Sequence, residues 1–212
     1  MSIRFIKDKQ RFILHTKHTT YAFDVAFGRY LYHTYYGKRT NTIPDPTDRI
    51  VSFAPYLSTL DAGKSPDFFP QECSFYGAGD FRPNALRLSA DGTGVCDFVY
   101  HSYRVLKGRI ALDGLPAARA DEHTQTLEIT LLDEVSGCRL KLYYTVFADV
   151  DVISRYMIVE NKGKERVIID RCMPLMLDLN RSDLDMISLY GSHCCEVNFQ
   201  RAPLHHGLQS VY

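Results

Sequence analysis

Apolar and polar residues alternate with a period of two through segment after segment of this chain. Residues 126–132 (Thr-Leu-Glu-Ile-Thr-Leu-Leu) and 138–147 (Cys-Arg-Leu-Lys-Leu-Tyr-Tyr-Thr-Val-Phe) show it on either side of a turn at 133–137. Residues 152–160 and 166–173 repeat the arrangement around Asn161-Lys162-Gly163-Lys164-Glu165. A period of two places one side-chain set on each face of a pleated strand, so these segments read as half-buried antiparallel hairpins. Residues 11–15 and 21–25 form an earlier hairpin around Lys17-His18-Thr19-Thr20. Strands follow over 31–36, stopping at Gly37, and over 95–105. Fourteen tyrosines and twelve phenylalanines with no tryptophan suit such a chain, because aromatic rings pack well on pleated surfaces.

Ten or more strands cannot remain one open twisted sheet without exposing both faces, so the expected fold is a large all-β sandwich of two antiparallel sheets. One short helical turn is expected over 181–186, with Ser182 as N-cap. Strand patterning stops between about 41 and 70, where Pro44, Pro46, Pro55, Gly63, Pro66 and Pro70 punctuate the chain. A loop of that length inside a compact domain is uncommon unless it has a task, and it is read as functional.

The charge balance excludes several classes. Twenty-five basic and 25 acidic residues give zero net charge, with no basic field for nucleic acid or anionic lipid. No apolar run is long enough for a membrane helix, and Met1-Ser2-Ile3-Arg4-Phe5 lacks the layout of a secretory leader. The chain therefore reads as cytoplasmic, with its six scattered cysteines reduced.

The densest run of chemistry-bearing residues is Pro70-Gln71-Glu72-Cys73-Ser74-Phe75-Tyr76-Gly77-Ala78-Gly79-Asp80-Phe81-Arg82. It resembles the P-Q-E-[YC]-x-x-[YF]-G-x-x-D-[FY]-R loop of family 36 glycoside hydrolases, bacterial α-galactosidases of the raffinose and melibiose type. Two further segments match that family. Asp113-Gly114-Leu115-Pro116-Ala117, preceded by His101 and Lys107-Gly108, is similar to its H-x-I-x-x-G-K-x-x-L-x-G-L-P-A run. Gly191 to Gly207, with Glu196, Arg201, Pro203 and Leu204, is similar to its G-x-[WH]-x-x-E-x-x-x-x-R-x-P-L-x-x-G segment.

The resemblance implies a single N-terminal domain over 1–212, a galactose mutarotase-like β-supersandwich. The family's catalytic (β/α)8 barrel, with its K-W-D and R-S-D aspartates, has no counterpart here. Arg181-Ser182-Asp183 falls among β segments and reads as coincidence. The chain is therefore expected to be inactive alone, with an apolar patch where a barrel would cover it. The parent chemistry would be retaining hydrolysis of terminal α-galactosides by two carboxylates about 5–5.5 Å apart. The resemblance also implies a homo-oligomer, a tetramer, in which a loop of this domain reaches a neighbouring subunit's site. Asp48 matches the acid that would hold galactose hydroxyls there; read locally, it is a turn residue after Pro44-Asp45-Pro46-Thr47. Glu72, Asp80 and Arg82 are expected to lock the motif loop, the last two as a buried ion pair.

Other readings are weaker. His193, Cys194, Cys195, His205 and His206 are zinc-ligand types, but neighbours on a strand point to opposite faces, so no metal is expected, nor any cofactor. Cys73 with His101 or His193 could form a nucleophilic pair, though nothing in the spacing favours it. A free-standing carbohydrate-binding module and a mutarotase-like enzyme using His101 and Glu128 are the alternative functions.

Overall fold

The computed structural model describes residues 2–45, 70–77, 82–90, 92–179 and 181–211. Among these residues there are twelve strands and no helix. The chain divides into two compact units, 1–178 and 179–212.

The first unit holds two four-stranded antiparallel sheets. One runs β1 (Ile3–Ile6), β2 (Arg11–His15), β3 (Thr19–Ala26), β4 (Tyr30–Lys38). The other runs β6 (Val99–Lys107), β7 (Gln125–Leu132), β8 (Cys138–Phe147), β9 (Val152–Asn161). A two-stranded sheet pairs β5 (Leu86–Ala90) with β10 (Val167–Cys172). Alternation decides what faces what. Phe12, Leu14 and Phe23 of the first sheet meet Leu127, Ile129, Leu131, Leu140, Leu142 and Tyr144 of the second in one buried core. The Phe23 ring stacks on Phe12 at 5.1 Å on one side and on Tyr144 at 5.1 Å on the other, bridging the sheets. Burying such side chains contributes about 1.5–3 kcal/mol each, the main force closing the sandwich.

Both sheets carry cover on their outer faces as well. Ile13 and Ala22 point away from the main core and pack with Ile43 in a second, smaller cluster. Thr126, Glu128 and Thr130, the polar set of β7, are also buried.

The second unit is a hairpin of β11 (Asp185–Ser192) and β12 (Cys195–Pro203), paired from Asp185↔Pro203 to Ser192↔Cys195 with a register shift between Tyr190 and Ser192. Ile187, Leu189, Val197 and Phe199 are exposed on it.

Several local expectations are corrected. The helical turn over 181–186 does not form, because Asp185 and Met186 pair with Pro203 and Ala202 and the strand takes their backbone. Cys194 lies in the two-residue hairpin turn at φ 61°, not on a strand, so strand alternation does not govern it. The strand expected from Val95 begins only at Val99. Strands β1 and β5 were not expected at all. The first is only four residues long, and the second pairs with the distant β10 instead of a hairpin neighbour.

Candidate functional site

Sequence points to the proline-rich segment and the motif after it; the structure describes how both are moored. On the outer face of the first sheet, Arg11 of β2 lies opposite Asp24 of β3. The two make a bidentate ion pair (Nε to Oδ1 2.7 Å, Nη2 to Oδ2 2.9 Å), both side chains almost fully buried. The same guanidinium donates to the carbonyl oxygens of Ile43 (3.0 Å) and Pro44 (3.3 Å) and to Asp45 Oδ1 (3.2 Å). Lys9 Nζ reaches Asp45 at 2.8 Å, and this contact holds the Asp45 carboxyl below its ordinary value. A planar five-donor fork can grip a carboxylate and a run of carbonyls at once, which the point charge of lysine cannot. Residues 43–45 are fixed by it.

The chain is described again from Pro70, whose carbonyl accepts the His33 backbone N–H at 2.6 Å. Glu72 N–H donates to the Leu31 carbonyl, and Gln71 bridges to Tyr32, so residues 70–72 lie along β4. Glu72 then turns a fully buried carboxylate into the space between the sheets. Tyr21 Oη lies 2.8 Å from both of its oxygens, and His33 Nδ1 is 2.8 Å from Oε1. Tyr144 donates to Oε2 at 2.7 Å, and Arg155 Nη1 is 3.2 Å from the same atom. Arg155 also donates to the Glu72 carbonyl and to that of Met176, and lies over the Tyr144 ring. One side chain thus ties β3 and β4 to β8 and β9.

The electrostatics follow from this crowd. Burial by itself would push the Glu72 carboxyl up, but the charge of Arg155 and the hydrogen bonds from His33 and Tyr144 outweigh it and hold it below the usual range. Burial drives Tyr21 and Tyr144 well above their ordinary values, so both remain neutral donors. The next residue, Cys73, is buried and its thiol is pushed up to about 12, which removes it as a nucleophile at neutral pH.

Further along the motif, Ser74 Oγ and carbonyl accept from Ala85 and Leu86 N–H. Gly77 sits at φ 117°, where a Cβ would come within 2.7 Å of Val95 and 3.0 Å of the Cys96 backbone. Only glycine fits there. Arg82 Nη1 pairs with Asp178 at 2.9 Å. Asp80, expected as its partner, and Asp48, the expected substrate contact, lie outside the described residues.

Three other expectations meet the geometry. Glu128 is engaged by Arg104 (3.0 and 2.7 Å) and lies opposite it, while His101 is the extra residue of a bulge between Tyr100 and Ser102. The His101–Glu128 pair of a mutarotase-like site is therefore not assembled. Asp183 is taken by Arg181 at 2.8 Å on the surface. No group of three or more metal-ligating side chains occurs among the described residues. Arg11, Asp24, Tyr21, His33, Tyr144 and Arg155 were not singled out from sequence. The one available signal was a charge inside otherwise apolar strands, as in Arg11-Phe12-Ile13-Leu14.

The geometry defines an antiparallel all-β sandwich domain with a glutamate-bearing motif pinned between its sheets, and comparison with known proteins gives the family. Residues 29–212 match the glycosyl hydrolase family 36 N-terminal domain, and the chain belongs to that family. It is 38% identical over 213 residues to the bifunctional alpha-galactosidase/sucrose kinase AgaSK of Mediterraneibacter gnavus, covering 98% of this chain and 23% of the relative. It superposes on GH36 alpha-galactosidase AgaB of Geobacillus stearothermophilus with a TM-score of 0.90 at 34% identity, over 99% of this chain and 29% of that one. A variant of AgaA from the same organism, solved in complex with raffinose, gives 0.87 at 33% identity over 94% and 29%. The chain spans less than a third of the length of these relatives.

Proposed function

We propose that this chain is the N-terminal, non-catalytic part of an α-galactosidase that hydrolyses terminal α-galactosides of the raffinose type by a retaining mechanism. The observation that carries the reading is the mismatch of coverage. Nearly all of this chain aligns with proteins named as alpha-galactosidases, yet it accounts for only 23–30% of their length. The two catalytic carboxylates would lie in the remainder. Within the 212 residues, acting as one domain, Glu72 and Arg82 hold the motif loop. The Arg11 fork and β4 set the two ends of the segment that carries Asp48. Asp48 then contacts galactose hydroxyls in a neighbouring subunit of a cytoplasmic tetramer.

The test is Asp48→Ala in the longer protein. Losing a charged acceptor from a sugar hydroxyl should cost about 1.5–3 kcal/mol, or one to two decades of kcat/KM on raffinose. Thermal stability should stay within about 0.5 kcal/mol of the parent. Normal kinetics in an intact oligomer would reject the assignment.

A further inference from the structure

On the outer face of the second sheet, away from Glu72, lies a cavity of about 110 Å³. Its floor is Thr145 and Phe147 of β8 with Ser154 and Tyr156 of β9, and Arg109, Leu112 and Pro116 are among its walls. The floor is rigid. Thr126 Oγ1 donates to the Gly108 carbonyl at 2.7 Å and lies 2.9 Å from Thr145 Oγ1, and Gly108 N–H donates to Thr124 O at 2.8 Å. That clamp fixes where Arg109 begins. Tyr156 is equally held, stacked on Tyr143 at 4.6 Å with 12° between the rings.

Two polar atoms here are buried without a partner among the described residues: Arg109 Nη1 and Tyr156 Oη. Arg109 makes no ion pair among those residues, whereas charged side chains elsewhere on this face of the sheet are matched. Arg104 pairs with Glu128, and Lys141 and Arg139 with Glu160. A buried guanidinium nitrogen and a buried phenol with nothing to donate to are both costly, and the cavity is where a missing acceptor would fit. Burial and the charge of Glu128 raise the Tyr156 phenol, so it keeps its proton and remains a donor.

We propose that this cavity is a binding site for a small oxyanion, a carboxylate in the first instance. Its two oxygens would accept from Arg109 and Tyr156, and its short carbon body would rest on Leu112, Pro116 and Phe147. A volume of this size holds several waters, enough for such a group. The apolar walls favour a carboxylate with a hydrocarbon stub over a fully hydrated phosphate.

Titration of the protein with sodium butyrate, and separately with inorganic phosphate, at fixed ionic strength tests this by calorimetry and thermal melting. Saturable butyrate binding is expected, with phosphate weaker. Arg109→Gln should weaken it at least about tenfold and Tyr156→Phe by less, as expected for charged and neutral donors. Arg109→Gln should leave the anion-free melting temperature unchanged or higher, since no protein acceptor is lost. No saturable effect of either anion on the unmodified protein overturns the proposal, as does binding unchanged in Arg109→Gln. So does unfolding of Arg109→Gln without anion, which would make Arg109 a structural residue.

Discussion

Glu72 and Glu128 are both almost wholly buried, and each is met by an arginine and tyrosine, yet they do different work. Glu72 gathers Tyr21, His33, Tyr144 and Arg155 from four strands in two sheets. Glu128 takes Arg104 from the adjacent strand and Tyr143 from the other neighbour, all on one face of one sheet. The Arg104 side chain is 63% exposed, against 6% for Arg155. A carboxylate with partners on both layers fixes how the layers sit; one with partners on a single layer only tightens a surface already held by its ladder. Position in the sandwich, more than residue type, sets the worth of the ion pair.

The sharpest way to break this contrast is Glu72→Ala. It strands Arg155 and two tyrosine hydroxyls between the sheets and should destabilise the domain by about 3–5 kcal/mol in denaturant unfolding. A loss below about 1 kcal/mol would put Glu72 in the same category as Glu128. Acid titration sharpens the comparison next. Glu72 is held below its ordinary value of 4.5, so the stability it contributes is fully present above that pH. It is lost as pH falls through the lower folded-state value. Glu72→Gln should flatten the acid limb of a stability–pH curve, and Glu128→Gln should flatten it less, although the Glu128 carboxyl is also held low. The smallest effect expected is for Arg104→Ala, a slight loss in the same denaturant unfolding and well short of that of Glu72→Ala. Its carboxylate partner keeps Tyr143, and the guanidinium itself was mostly in water.

The same distinction separates what was legible in the sequence from what was not. Strand β8 was readable to the residue, because its alternation is local and its neighbours are hairpin partners. The motif around Glu72 was legible as a segment dense in chemistry-bearing residues. Its partners were not, since they lie 51, 39, 72 and 83 residues away, and no local pattern encodes which tyrosine or arginine the fold will deliver. The helical turn expected at Ser182 failed for a related reason: local capping chemistry lost to the pairing of Asp185 and Met186 with Pro203 and Ala202. Arg11 was not singled out at all: its one signal is a charge in an apolar strand, a pattern that marks a covered outer face but not what covers it.

The Arg11 fork has one more consequence, for how this domain tolerates change. Arg11 can grip residues 43–45 only because it shares a face with Ile13 and Ala22, and a strand's faces exchange with every single-residue step. Inserting or deleting one residue in β2 would swing the guanidinium into the main core and push Phe12 outward. The anchorage of residues 43–45 would be lost even though none of them had changed. Strand register is thus the postal address of residues 43–45, and the length of β2 cannot vary without losing it.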